Sequence, residues 1–271
     1  MSDESVRSRG DLLVVFFVVT FAITWGLAAL VFLFPAPIKA LFGDFSTANP
    51  VFILAVAGPT LSATTLTLVR EGWSGLGALY GRLVRWRFGV QWYALALVGV
   101  PLAGLTVSRV AGPVPQPDLS TSALLFSTLL NLLITGPLGE ELGWRGFALP
   151  RLLSRFRSLP ASLILGGAWG VWHLPSFFVS GLPQSSLSIP VFLLGALCMS
   201  VLATWLFRHT GGSVLITVLF HYMVNFCFSV LGAPLAAFTL VMAVAAALVV
   251  GLDRGLGWFR PAGPSSHFST R

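Results

Sequence analysis

Three observations predict an all-α, polytopic membrane protein. Of 271 residues, 56% are apolar and only 9% charged, against roughly 25% charged in a typical soluble domain. Eight apolar runs are each close to the length of a membrane-crossing helix, and the arginines collect in alternate connections between them. A mean hydropathy of +0.88 agrees, because a water-soluble surface could not be built from so few charges. Other classes fall away. Only two cysteines, Cys198 and Cys227, are present, both inside apolar runs, so a disulfide scaffold is excluded. The 22 Phe, 9 Trp and 3 Tyr exclude intrinsic disorder. The net charge of +7 comes from arginines parked between apolar runs, which fits membrane topology and not a nucleic-acid partner.

A hydrocarbon core of about 30 Å takes about 20 apolar residues in a helix. The runs are 12–34, 51–69, 92–112, 123–144, 161–179, 189–207, 213–231 and 234–252. The first follows Arg7 and Arg9 and has 23 residues. It exceeds a signal-peptide core of about 7–15 residues and lacks a cleavage site, so it reads as a retained helix. After the second run, residues 71–92 repeat Trp73, Leu76, Leu79, Tyr80, Leu83 and Trp86 at roughly helical spacing, with Arg82, Arg85 and Arg87 among them. That pattern predicts a helix lying in the interface, anchored by aromatics and arginines and in contact with membrane lipids. The fourth, fifth and seventh runs carry the polar groups discussed below; the sixth ends at Arg208 and the eighth is featureless. Residues 1–271 form one membrane domain, with a Pro/Gly/Ser-rich tail expected to be disordered over about 261–271.

With the N-terminus in the cytoplasm, fourteen of the sixteen basic residues fall on the cytoplasmic side, leaving Lys39 and Arg109 outside. The positive-inside rule asks for this asymmetry. The expectation is a multi-pass protein of the cell (plasma) membrane with eight spans, both termini cytoplasmic and an intramembrane cavity open toward the cytoplasmic side.

A charge at bilayer depth costs about 2.5–3.5 kcal/mol on insertion scales, so those that persist ask for a function. The fourth run holds Glu140, Glu141 and Arg145. Glu141 and Arg145, four apart with the acid first, form the favourable helical ion pair. Glu140 points about 100° away and has no partner on its own helix. The fifth run adds His173, with Trp169 one turn earlier, and the seventh adds His221 and Asn225 on one face. At about 1.5 Å per residue, Glu140, His173 and His221 lie about 15, 20 and 12 Å from their cytoplasmic helix ends, compatible with a single layer. Singly, each histidine or the asparagine could serve helix packing; together the set is an active-site inventory. His209 and His267 read as solvated bystanders. Cys227 lies roughly 120° around the helix from His221, a poor geometry for a thiolate nucleophile.

These residues resemble the CAAX-protease and bacteriocin-processing (CPBP, or Abi) family of intramembrane proteases, related to the type II CAAX prenyl endopeptidase. Its fingerprints EExxxR, FxxxH and HxxxN read here as Glu140-Glu141-Leu-Gly-Trp-Arg145, Trp169-Gly-Val-Trp-His173 and His221-Tyr-Met-Val-Asn225. The resemblance runs from about residue 75 to 230. One departure is Trp169, where the family usually has phenylalanine; it keeps the ring but adds bulk and an N–H that needs a partner.

The resemblance implies an endopeptidase cleaving a peptide or protein near the cytoplasmic face, with a prenylated CAAX tail as substrate in eukaryotic relatives. In the metal-free scheme Glu140, desolvated among apolar helices, and His173 hold and deprotonate a water. His221 and Asn225 donate to the oxyanion, and Glu141 with Arg145 fixes the helix. The same atoms write a second scheme, in which Glu140, His173 and His221 bind a divalent metal such as zinc with water in the open position. The residues leave both schemes open. A competing class is a non-proteolytic carrier, immunity protein or scaffold using the same polar cluster. A carrier predicts broken helices in paired repeats, which the sequence does not display.

Overall fold

The computed structural model describes residues 3–115, 119–252 and 258. The expected disordered tail and His267 lie outside the described residues. Among the described residues every regular element is helical, the main helices running α1 (Asp3–Leu33), α2 (Pro35–Phe42), α3 (Pro50–Val56), α4 (Gly58–Gly81), α5 (Val90–Ala111), α6 (Ser122–Leu153), α7 (Ser158–Trp172), α8 (Ile189–His209), α9 (Val214–Ser229) and α10 (Leu235–Leu252).

Local chemistry sets several starts. Asn49 accepts from Val51 N at 3.0 Å to cap α3, and Thr121 accepts from Leu124 N at 3.2 Å to cap α6. Ser213 does the same for α9. Each satisfies a backbone donor that the first turn leaves unpaired.

Among the described residues, five helices are long and apolar enough to cross a membrane: α1 from Leu12, α5, α6, α8 and α10. The pair α3 and α4, bent by 54°, makes a sixth. The protein is therefore a multi-pass membrane protein by its helices. The fifth and seventh apolar runs are built differently from the uniform spans that the sequence suggests. Helices α7 and α9 have 15 and 16 residues, about 22 and 24 Å at 1.5 Å per residue, short of a 30 Å core. Helix α7 stops because Pro175 follows His173 and the chain tightens into a 3-10 turn over Leu174–Phe178. The expected interfacial helix over 71–92 is also divided. Gly72, at φ 65°, breaks α4, and helix resumes only to Gly81. Trp73 and Trp86 are exposed on this stretch, as an interface anchor requires.

The helices α6, α7, α8 and α9 form the centre. Gly166 lies against Ser200, and Ser200 Oγ donates to Ser162 O at 2.8 Å, a small-residue contact that brings α7 and α8 close. Helix α6 winds wide on either side of the two glutamates, with π turns over Ile134–Leu138 and Leu142–Ala148. Pro137 lacks the N–H that a regular ladder would use there. The second π segment is wholly buried, with Trp144 and Phe147 packed on Phe16 of α1 at ring separations of 5.5 and 5.0 Å.

Contacts between connections define two ends of the bundle. At one, Val214 N donates to Arg82 O at 2.9 Å, Arg151 pairs with Glu71 at 2.8 Å, and Arg208 bonds Ser158. At the other, Val114 N donates to Gly232 O at 2.9 Å and Asn131 Nδ2 to Thr47 O at 3.1 Å. The first end holds the arginines and the second is poor in them.

Candidate active site

Helix α6 carries both glutamates to the bundle centre, where Glu140, Glu141 and Arg145 are all buried. The i,i+4 pair expected from spacing is present, with Arg145 Nη1 donating to Glu141 Oε1 at 2.6 Å. The same oxygen accepts from His221 Nδ1 at 2.9 Å. Glu141 thus joins α6 to α9 and holds the imidazole by one nitrogen. A buried carboxylate with an arginine on it and a histidine N–H to receive is the arrangement that fixes a ring's tautomer and orientation.

Glu140 faces elsewhere, as its position on the helix predicts, and finds its partner across the bundle. Trp169 Nε1 of α7 donates to Glu140 Oε2 at 2.5 Å. The Arg145 guanidinium carbon lies 4.9 Å from the centre of the Trp169 ring. Trp169 also packs T-shaped against His173 and His221, at ring separations of 5.3 and 5.4 Å.

His173 caps the end of α7. Its Nδ1 lies 2.9 Å from Trp169 O and donates to that carbonyl, which leaves Nε2 as the acceptor. Trp172 and His173 pack T-shaped at 4.6 Å, and the Trp172 N–H is held by Thr24 of α1 at 2.8 Å. The end of α7 is thereby tied to a different helix from the one bearing the glutamates.

Glu140 and His173 line one pocket, a cavity of about 70 Å³, enough for a few waters. Its polar lining includes Thr135, Ser176 and Gln184, and its apolar lining includes Phe52 and Val179. His221 and Asn225 approach from behind. A methyl group on Gly136 would sit 2.8 Å from Asn225 Nδ2 and 3.7 Å from His221 Nε2. Both side chains therefore face one glycine of the first π turn, as their spacing of four predicts.

Residues 122–227, which contain Glu140, Glu141, Arg145, Trp169, His173, His221 and Asn225, match the family model described as "Type II CAAX prenyl endopeptidase Rce1-like". Over these residues the chain is similar to that family. It is also 35% identical over 106 residues to "CAAX prenyl protease 2" of Methanococcus maripaludis, covering 37% of this chain and 39% of the relative. The aligned part thus spans about two fifths of the curated relative's length. The Rce1-like segment falls inside the 75–230 stretch singled out by the motifs, and excludes α1 to α5.

Two participants in this Rce1-like site escaped sequence reasoning. Gly136 matters because it has no side chain, and only its place in a T-G-P triplet ahead of the acids hinted at a distortion. Gln184 lines the pocket from a loop that carries no motif. Trp169 was visible, but as a replacement and not as a partner of Glu140. Cys227 is buried against Gly104, with Sγ 3.5 Å from Val100 O, so it packs helices. His209 stacks on Trp92 at 4.8 Å, away from the pocket.

The proposed metal set of Glu140, His173 and His221 can be tested against this geometry. Among the described residues, no group of three or more His, Cys, Asp and Glu side chains is placed to hold a metal ion. One oxygen of Glu140 is taken by Trp169, and His221 is drawn to Glu141. The three side chains do not fit a metal in this arrangement.

Proposed function

We propose that the chain is an intramembrane endopeptidase whose nucleophile is a water held between Glu140 and His173. The observation that carries this reading is the pocket those two side chains share, at the centre of a membrane bundle. In the reaction, Glu140 accepts a proton from the water while the hydroxide oxygen bonds to the scissile carbonyl carbon. The oxyanion is received by Asn225 Nδ2, beside the His221 imidazole. Collapse breaks the C–N bond, and Glu140 returns the proton to the leaving amine. General base catalysis contributes about 10²–10⁴ in rate, and each oxyanion donor about 10²–10³. Glu141 and Arg145 anchor His221 and supply no proton.

The likeness to type II CAAX prenyl endopeptidases supports a prenylated peptide as the substrate class. A peptide with a prenylated C-terminal cysteine suits a pocket whose walls include Phe52, Val179 and Leu182. The test is hydrolysis of a prenylated CAAX peptide, and of its unprenylated form, by purified protein in liposomes. Glu140→Gln and His173→Ala are each expected to slow turnover at least 100-fold. Undiminished cleavage by Glu140→Gln would end this reading, and cleavage abolished by a chelator and restored by zinc would replace it with a metal mechanism.

A further inference from the structure

Trp169 touches four groups of the site. Its indole N–H ends on Glu140, its face receives Arg145, and its ring packs T-shaped against both histidines. It is itself buried, so no water competes for that N–H. Three rigid links hold it there. Its backbone carbonyl takes the Nδ1 proton of His173. Gly170, next in the chain, packs on Leu193 of α8. One turn on, Trp172 is bonded to Thr24 of α1.

We propose that Trp169 is the positioning residue of the Glu140 base, holding Oε2 so that Oε1 alone receives the proton of the attacking water. This rests on the reading of Glu140 as the base. The physical argument is directional. A carboxylate with both oxygens free rotates about its last bond and presents either lone pair, and a short N–H···O bond to one oxygen removes that freedom. The same backbone segment positions His173, so one residue sets the orientation of both groups that face the pocket. Phenylalanine at this position would fill the space and make no such bond. A family member with phenylalanine must therefore orient its glutamate by other means, and the tryptophan gives this chain its own device.

The experiment replaces Trp169 with benzothienylalanine, a tryptophan analogue in which sulfur stands for N–H and the ring shape is kept. Trp169→Phe is made beside it. Both are assayed in liposomes for turnover rate, KM, pH–rate profile and melting temperature. Turnover is expected to fall at least tenfold in both variants, with KM within twofold of the native value and a displaced pH–rate profile. The benzothienylalanine protein should melt within a few degrees of the native one. Native turnover and a native pH–rate profile in the benzothienylalanine protein would overturn the proposal while leaving Glu140 as base. Native activity in Glu140→Gln would instead remove the base itself, and this proposal with it.

Discussion

Glu141 is a junction of charge. Its Oε1 receives both Arg145 and His221, while Oε2 and two nitrogens of Arg145 are buried without hydrogen-bond partners. A buried pair of this kind adds little net stability, but removing one member strands the other at a cost of about 3–5 kcal/mol. Arg145→Met should therefore destabilise the protein by about that amount, measured by thermal or denaturant unfolding in detergent. The double variant Glu141→Gln/Arg145→Met should recover part of the loss, because no lone charge remains. Gly136 yields the opposite signature. A methyl group there meets the tip of Asn225 and not backbone, so the fold should tolerate Gly136→Ala. Turnover should slow about tenfold or more, since an oxyanion donor is displaced. Unchanged turnover in a folded Gly136→Ala protein would remove Asn225 from the oxyanion site.

At the scale of elements, the distorted helices carry the function. Helix α6 is predicted from sequence as one apolar span, and it is one, but π turns on both sides of Glu140 and Glu141 set the direction in which each acid points. Such turns concentrate at functional sites because they re-aim side chains without ending the helix. Pro137→Ala restores a backbone N–H and lets the ladder close to regular α geometry. That turns the two halves of α6 by about 100° relative to each other. Activity should be lost while the melting temperature holds or rises; retained activity would show that the wide turn is not needed. Helix α4 makes the second case. Gly72 sits at φ 65°, ψ −161°, a conformation that costs a side-chain-bearing residue about 1–3 kcal/mol. Gly72→Ala should lower unfolding stability by that amount without altering KM or turnover.

Seen as a whole molecule, the bundle separates arginines from pocket. The arginine-bearing connections meet at one end, whereas Phe45, Phe52, Val179 and Gln184 belong to segments at the other and line the pocket. The positive-inside rule predicts that the arginine end faces the cytoplasm. With that orientation the pocket extends from Glu140 toward the outer end, so the expectations of cytoplasmic termini and a cytoplasmic cavity pull apart. Impermeant thiol reagents on intact cells distinguish them. Ser154→Cys at the arginine end should be shielded and Gln184→Cys at the pocket labelled. The reverse pattern would put the termini outside and bring substrate to the pocket from the cytoplasm.

The sequence by itself determined the membrane class, from composition and run length. It also determined which polar residues belong together, because a charge that survives inside an apolar helix is too costly to be accidental. Helical periodicity further separated Glu140 from Glu141 and joined His221 to Asn225, since these are relations within one helix. Only the tertiary structure decided the relations between helices. Trp169 on Glu140, His221 on Glu141 and Asn225 against Gly136 cross from one helix to another. The end of α7 at His173 and the widening of α6 were likewise beyond periodicity, which carries no information on where a backbone departs from 3.6 residues per turn. A hydrogen bond's partner is fixed by packing angle and depth, and no spacing along a single chain encodes either.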